Sequence, residues 1–361
     1  MLQPMEFEYR RELPGGAVLT VLTFTSKVLE GNTLGDPVRR SHPILLPPRF
    51  SPTCSLPLVT VLTGYTGFNH KIINKGSMWG ETLPERIGRC MAEGSIPEAV
   101  LMWPSCETRL GGSQYLNSPG TGNYEDYLLQ ELIPQVEAEL SGGTAGPADA
   151  HPANEAGGGV GGVGRRVVVG KSSGGYGALR LAMRNPGYFR AAASHCGDMG
   201  FDMSHFRGFA DALTCWQKYG GPAAFLKELP NLKLGNLEHA GIEGIAMASC
   251  YSPDADAELG VQLPVDPETG EIRHDIFNLW LQQDPLRMLD QAPHAAALRG
   301  LDHLYLDAGH RDEFALQWGL RRFAVKLDQL SIPAHVEYYE GGHFDTDHRY
   351  EISLPQVLAN L

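Results

Sequence analysis

Apolar runs of strand length alternate along this chain with segments whose apolar residues recur at helical period. Short β-rich stretches at 18–25, 44–47, 58–63 and 99–103 read as strands, the third stopped by Gly64 and the fourth by Pro104. Between 124 and 140, Tyr124, Leu128, Leu132, Val136 and Leu140 fall on one helical face. Asn123 stands where an N-cap would, and Asp126 lies in the first turn. A valine strand at 166–170 leads into a helix over 174–184, closed by Asn185-Pro186-Gly187. Further strands are expected at 190–194, 303–307 and 335–339. This rhythm predicts an α/β fold with a mostly parallel central sheet and helices on both faces, in one domain over 1–361. No internal repeat interrupts it.

Two intervals break the rhythm. Residues 141–164 are almost all Gly, Ala, Pro and small polar side chains. Such a composition buries little apolar surface and predicts a flexible surface loop instead of a domain boundary. Residues 199–289 hold Phe201, Phe206, Trp216, Tyr219, Phe225, Phe277 and Trp280 among polar and turn residues. Inserted between two strands, they are expected to form a cap over the sheet edge, with Trp216, Phe225 and Trp280 as candidate pocket walls. The plainer alternative is extra packing helices with no part in binding.

Charge and cysteines narrow the partners. With 42 acidic and 29 basic residues the net charge is −13, which argues against a nucleic acid or an anionic membrane. No stretch is long and apolar enough to span a bilayer, and residues 1–11 lack the apolar core of a secretory signal. Six cysteines without C-x-x-C spacing read as reduced thiols, so a cytoplasmic location is expected. A homo-oligomer remains compatible with all of this.

The strongest chemical signal is Val167-Val168-Val169-Gly170-Lys171-Ser172-Ser173-Gly174, a G-x-S-x-G motif between a strand and a helix. That context is what a nucleophile elbow requires: a sharp turn exposes the serine, and the flanking positions have no room for side chains. A phosphate-binding loop ending in Gly170-Lys171-Ser172 would need glycine where Arg165 stands, and its strand would have to precede that glycine. The dinucleotide-type match Gly159-Val160-Gly161-Gly162-Val163-Gly164 leads into a strand instead of leaving one. Both are rejected.

A serine nucleophile needs a base and an orienting acid, which in such folds follow later, acid first, each just after a strand. The stretch 304–314 offers Asp307, Asp312 and Glu313. Asp307 still lies on the strand, so Asp312 has the better reach and Glu313 is the fallback. His343 follows the last strand and a glycine turn, in the order the base should occupy. A metal set of His343, Asp345, Asp347 and His348 lacks a clean ligand spacing. No metal or cofactor is expected. The oxyanion would be met by Ser173 N–H and by a backbone donor in Thr63-Gly64-Tyr65-Thr66-Gly67, where Tyr65 is the choice.

These motifs, with Leu110-Gly111-Gly112-Ser113-Gln114-Tyr115, Tyr124 to Pro134, Ser194-His195-Cys196-Gly197-Asp198 and Gly342-His343, carry a resemblance over most of the chain. It resembles the α/β-hydrolase esterase family that includes S-formylglutathione hydrolases (esterase D), enterochelin esterases, feruloyl and acetyl-xylan esterases and the mycolyltransferases. The resemblance implies an α/β-hydrolase fold and a serine carboxylic ester hydrolase acting on a small-molecule ester through an acyl-enzyme. It implies Ser172 as nucleophile, Asp312 as acid, His343 as base, and Tyr65 and Ser173 as oxyanion donors. The glycine-rich tract and the long cap are not shared by the smaller members, so no single member's substrate carries over. Two alternatives are kept: the same triad passing the acyl group to an alcohol, as an acyltransferase, and a catalytically silent binding protein on this scaffold.

Overall fold

Alternate residues of the central strands enter two different cores. In the computed structural model, which describes residues 5–142, 159–162, 164–359 and 361, Val167 and Val169 pack with Val59, Val61, Ala191, Ala193 and Tyr305. Val168 packs instead with Leu58, Leu62, Ala192, Leu304 and Leu306. The two-residue period of a pleated strand produces this split, and burial on both faces explains the uninterrupted apolar runs.

One sheet holds β1 (Glu6–Glu12), β2 (Val18–Thr25), β3 (Arg39–Leu46), β4 (Leu58–Leu62), β5 (Val100–Met102), β6 (Arg166–Lys171), β7 (Ala191–His195), β8 (His303–Gly309) and β9 (His335–Tyr339). The order is β1-β2-β3-β5-β4-β6-β7-β8-β9. The first three strands and the β3–β5 junction are antiparallel, and every pairing beyond β5 is parallel. The charged residues near the N-terminus belong to β1, where their exposure suits a sheet edge.

The helices are α1 (Leu83–Glu93), a composite α2 described below, α3 (Ser173–Arg184), α4 (Phe201–Tyr219), α5 (Pro222–Glu228), α6 (Asn236–Tyr251), α7 (His274–Leu281), α8 (Pro285–Met288), α9 (Ala292–Arg299), α10 (Leu316–Gln329) and α11 (Tyr350–Leu358). Ile87 and Met91 of α1 and Leu354 and Val357 of α11 cover one face of the sheet. Leu128 and Val136 of α2, Leu179 of α3, Leu298 of α9 and Phe323 of α10 cover the other.

Three expectations need correction. The helix beginning at Tyr124 is α-helical over Tyr124–Asp126, π-helical over Tyr127–Leu132 and α-helical again over Ile133–Leu140. Pro134 has no N–H to give, and Ile133 N–H reaches back five residues to Leu128 O. The side chain of Asn123 caps nothing; Asn117 Oδ1 accepts the Asp126 N–H instead, at 3.1 Å.

Most of the glycine-rich tract lies outside the described residues, but its end is not bare surface. Val160 is buried and bridges Leu56. Gly162 N–H donates to Glu137 Oε1 at 2.8 Å. Average composition hides one valine that glycines at positive φ on both sides, Gly159 and Gly161, turn inward.

Trp216, Phe225 and Trp280 are fully buried together in a third core inside 199–289. Both indole N–H groups are satisfied there, by Gly241 O at 3.1 Å and Ser252 Oγ at 2.9 Å. These aromatics hold the inserted helices to one another and do not wall a pocket.

Asp307, the strand-borne candidate acid, belongs to a buried network. It accepts from His195 Nδ1 at 3.0 Å, Arg349 Nε at 2.8 Å and Tyr305 OH at 3.2 Å. His195 Nε2 in turn meets Ser353 Oγ at 2.9 Å. Burial alone would raise the Asp307 carboxyl, but His195 and Arg349 outweigh it and hold it below the usual range. A depressed folded value means the stabilisation is complete above the unfolded value of about 3.9 and is lost as pH falls through the folded one. Asp307→Ala should lower the free energy of unfolding in urea by up to about 3–5 kcal/mol, because His195 and Arg349 lose their buried carboxylate and Arg349 keeps only the partly exposed Glu337 and Tyr305 OH. Unchanged stability in that variant would contradict a structural role for the network.

Candidate active site

Ser172 occupies the turn where β6 becomes α3, with φ 57° and ψ −126°. Its N–H still belongs to the sheet and donates to His195 O at 2.8 Å. Its C=O already accepts from Tyr176 N–H at 2.9 Å as α3 begins. A positive φ at a non-glycine residue costs about 1–3 kcal/mol and persists only where the surroundings impose it. Here glycines make the fit possible. A Cβ on Gly170 would strike Gly174 O, and one on Gly174 would strike Leu62 O. Gly64, just beyond β4, lies directly against the Ser172 side chain.

The loops after β8 and β9 end at the same sheet edge, joined by His310 N–H to Tyr339 O and Arg311 N–H to Gly341 O, both at 2.9 Å. They bring Asp312 and His343 together, both buried, with Asp312 Oδ2 2.8 Å from His343 Nδ1. Asp312 Oδ1 accepts Phe314 N–H at 2.9 Å, which fixes the carboxylate. Glu313, the fallback acid, accepts the backbone N–H of His343 at 2.6 Å and so holds the loop instead of the ring. The Phe314 ring stands edge-on to His343 with centroids 4.7 Å apart. Lys171 Nζ lies 5.4 Å from the Phe344 ring, which sets the Ser172 turn beside the His343 turn. No hydrogen bond joins Ser172 Oγ to His343 among the described residues.

Asp345, Asp347 and His348 are exposed and do not gather with His343. The donor atoms that do lie within 4.8 Å of one another belong to Cys196, Asp312 and His343. Burial pushes the Cys196 thiol up to about 12, and its Sγ pairs with Tyr339 OH at 3.1 Å. Cys196 thus packs beside the hydrogen-bonded Asp312–His343 pair, its Sγ against Tyr339 OH.

On the other side of Ser172, the segment 110–115 braces both expected oxyanion donors. Tyr65 OH donates to Leu110 O at 2.7 Å, and Gly111, at φ 117°, lets the Tyr65 ring lie flush on the chain. Gln114 Nε2 donates to Ser173 Oγ at 3.2 Å, and Tyr115 OH to Thr63 O at 2.5 Å. Gln114 and Tyr115 both sit in the left-handed region, at φ 52° and 55°. A crevice of about 10 Å³, enough for one water, is lined by Tyr65, Gly112, Gln114 and Ser173 among others.

Helix α6 lies over this arrangement. The His239 ring is 5.3 Å from Tyr65 and 6.3 Å from Phe314, and Met247 Sδ accepts from Gln114 Nε2 at 2.7 Å. Glu243 stands between them on the same helix face. Neither His239, Glu243 nor Met247 was singled out from the sequence, because isolated polar residues on a mixed helix carry no pattern. Asp198, just beyond the end of β7, had one usable signal: its position at the edge where the other loops converge.

Residues 37–359 match a family model described as "Putative esterase". The chain belongs to this esterase family. It is accordingly a carboxylic ester hydrolase. Among curated proteins none matches the sequence. Among solved structures the esterase is similar to a ferulic acid esterase, at 17% identity and a TM-score of 0.59, covering 95% of this chain and 98% of that one. It is also similar to an S-formylglutathione hydrolase from Agrobacterium tumefaciens, at 13% identity and a TM-score of 0.54, covering 98% and 100%. An acetyl xylan esterase from Paenibacillus sp. R4 shares 12% identity at a TM-score of 0.52, covering 100% and 90%. At such identities the likeness establishes the fold, that of the α/β-hydrolase esterases. No helix among the described residues is long and apolar enough to cross a membrane.

The turn itself gives a test that does not depend on activity. Gly174→Ala drives a methyl group into the backbone of β4, so it should destabilise the esterase by about 1–3 kcal/mol or more. Gly162→Ala, with open space around it, serves as a control, although its own positive φ costs something. Thermal melts of the two should differ clearly, with the Gly174 variant the lower.

Proposed function

We propose that Ser172, Asp312 and His343 form a catalytic triad that hydrolyses a carboxylic ester through an acyl-enzyme, within a single domain whose 199–289 insertion caps the site. The observation that carries this reading is the Asp312–His343 hydrogen bond, on the sheet edge where Ser172 is held in a strained strand-to-helix turn.

The chemistry follows from the donors. With Nδ1–H given to Asp312 Oδ2, His343 keeps a lone pair on Nε2. That nitrogen takes the Ser172 proton as Oγ attacks the ester carbonyl. The tetrahedral oxyanion is met by Tyr65 N–H and Ser173 N–H, the second at the start of α3 where backbone N–H groups lack helical partners. The imidazolium then protonates the departing alcohol. Water, deprotonated by the same nitrogen, releases the acid and restores the serine. Asp312 orients the imidazole and stabilises the imidazolium, its Oδ1 held by Phe314 N–H. All six cysteines are free, which supports a reducing, cytoplasmic setting.

Ser172→Ala should lower kcat by roughly 10⁴ to 10⁶-fold on a p-nitrophenyl ester without loss of fold. A fluorophosphonate should label Ser172 and leave Ser173 unmodified by mass spectrometry. Full activity in the alanine variant, or a label on Ser173, would refute the assignment. For the acid, Asp312→Asn should cost on the order of 10⁴ in kcat because the imidazole tautomer is lost. Glu313→Gln, which touches only the His343 backbone, should cost far less; the reverse ranking would move the acid to Glu313.

A further inference from the structure

Three polar side chains, Asp198, His205 and Glu243, have no hydrogen-bond partner among the described residues. Asp198 makes neither a hydrogen bond nor an ion pair there. Glu243 has only His205 Nδ1 at 3.9 Å and His239 Nδ1 at 3.7 Å, both beyond hydrogen-bond length. His205 is buried at 6% exposure in a ring of Phe201, Tyr251 and Trp280. Its Nε2 is buried and unpartnered, and its Nδ1 is aimed at Glu243. Burial lowers its pKa to about 4, so the imidazole is neutral.

Their positions converge on the serine. His239, Glu243 and Met247 follow one another at four-residue spacing, hence on one face of α6. His239 rests on Tyr65 and Phe314, and Phe314 abuts His343. Met247 meets Gln114, which donates to Ser173. Glu243, one turn from each, lies close enough to the Tyr65 and Asp198 side chains for its charge to act on both. It keeps 28% of its side-chain surface although protein surrounds it, as a group facing a cleft does. Asp198 enters from the sheet edge: Gly197 packs on Gly175 of α3, and Cys196 lies beside Asp312 and His343. Among the described residues no lysine or arginine pairs with either carboxyl, and Lys171 lies against the Phe344 ring.

We infer that Asp198 and Glu243 recognise a protonated amine on the ester substrate, with the neutral imidazoles of His205 and His239 as further acceptors. This rests on the reading of Ser172 as nucleophile. Two partly buried carboxyls that no protein donor fills are open to the donors of a ligand. Burial raises both above their ordinary values, Glu243 to about 7, and Asp198 is raised further by its acidic neighbours Glu243, Asp312 and Asp284. An ammonium group supplies what is missing on both counts. Its charge restores the ionised carboxylates, and its N–H donors fill the empty hydrogen-bond positions. An anionic substrate would meet repulsion from the same groups. A neutral polyol would bring donors without the charge.

Two matched ester pairs test this, since either half of the substrate could carry the amine. On the alcohol side, 2-(dimethylamino)ethyl acetate is compared with 3-methylbutyl acetate. On the acyl side, phenyl dimethylglycinate is compared with phenyl 3-methylbutanoate. Glyceryl acetate serves as the polyol. The quantity read is the cationic-to-neutral ratio of kcat/KM in the native protein relative to Glu243→Gln and Asp198→Asn, so intrinsic ester reactivity and any general loss of activity cancel. In at least one pair the ratio should fall by about tenfold or more in both variants, mostly through KM. An unchanged ratio in both pairs overturns the inference, as does an equal fall for glyceryl acetate over 3-methylbutyl acetate.

Binding separates this idea from the catalytic one. Calorimetry on Ser172→Ala should show the cationic member of the responsive pair binding at least about tenfold tighter than its neutral partner. Equal affinity in both pairs overturns the amine site even if esters are hydrolysed. A tenfold preference in a protein that hydrolyses no ester would uphold the site and remove the triad reading instead.

Discussion

Everything at the candidate site hangs on one steric constraint: β6 must become α3 within a single residue. Ser172 is the last residue in the ladder, through its N–H, and the first of the helix, through its C=O. No ordinary conformation serves both, and the φ of 57° is the result. The unfavourable backbone is sustained because β6 is flanked by parallel strands on both sides and buried on both faces. Glycines at 170 and 174 let three backbones meet where any side chain would collide. The same parallel arrangement delivers the loops after β4, β7, β8 and β9 to one edge, where ligand sites of open α/β sheets form.

Several buried carboxylates away from the edge are satisfied and join elements distant in sequence. Glu131 accepts from Ser26 Oγ at 2.5 Å and from Lys27 N–H at 3.0 Å, tying α2 to the segment after β2. Glu125 takes Arg180 Nη1 at 2.6 Å and Asn185 Nδ2 at 2.9 Å, tying α2 to α3. Asp307 does the same for β7, β8 and α11. At the edge, Asp198 and Glu243 lack hydrogen-bond partners among the described residues, while the Asp312 and His343 side chains pair with each other and Asp312 also with the backbone of its own loop. Desolvation without compensation is tolerated where a ligand can relieve it.

The sheet was legible because its signals are local. Strands buried on both faces read as apolar runs, and the G-x-S-x-G context needs only a strand before it and a helix after it. Two strands, 18–25 and 335–339, have the expected bounds. The acid could be narrowed because Asp307 sits within β8 and Asp312 beyond it. What the chain could not reveal depends on distant partners. Asn117 caps α2 in place of the adjacent Asn123 because the short β-hairpin before the helix folds it back. Glu313 and Asp312 are neighbours with the same charge, and only the direction of the loop gives one the imidazole and the other the His343 N–H. Trp216, Phe225 and Trp280 satisfied the composition of a pocket wall, but composition cannot separate a wall from the interior of the helices behind it.

Helix α6 shows why its inward face was the hardest to foresee. Its setting is determined by glycines, not by an apolar stripe. A Cβ on Gly241 would press on Cys215 and Phe225, and one on Gly244 on the Trp216 ring. These two positions let α6 approach α4 closely, and they lie on the opposite side of the helix from Glu243. The aromatics that were expected to line the pocket therefore act one layer away: Trp216 and Phe225 clamp the glycine face of α6. Closing that contact brings His239 and Glu243 to Tyr65 and Met247 to Gln114. The chemistry of the cleft is thus set by polar residues whose direction is fixed by apolar packing behind them, a dependence that no residue on either face records alone.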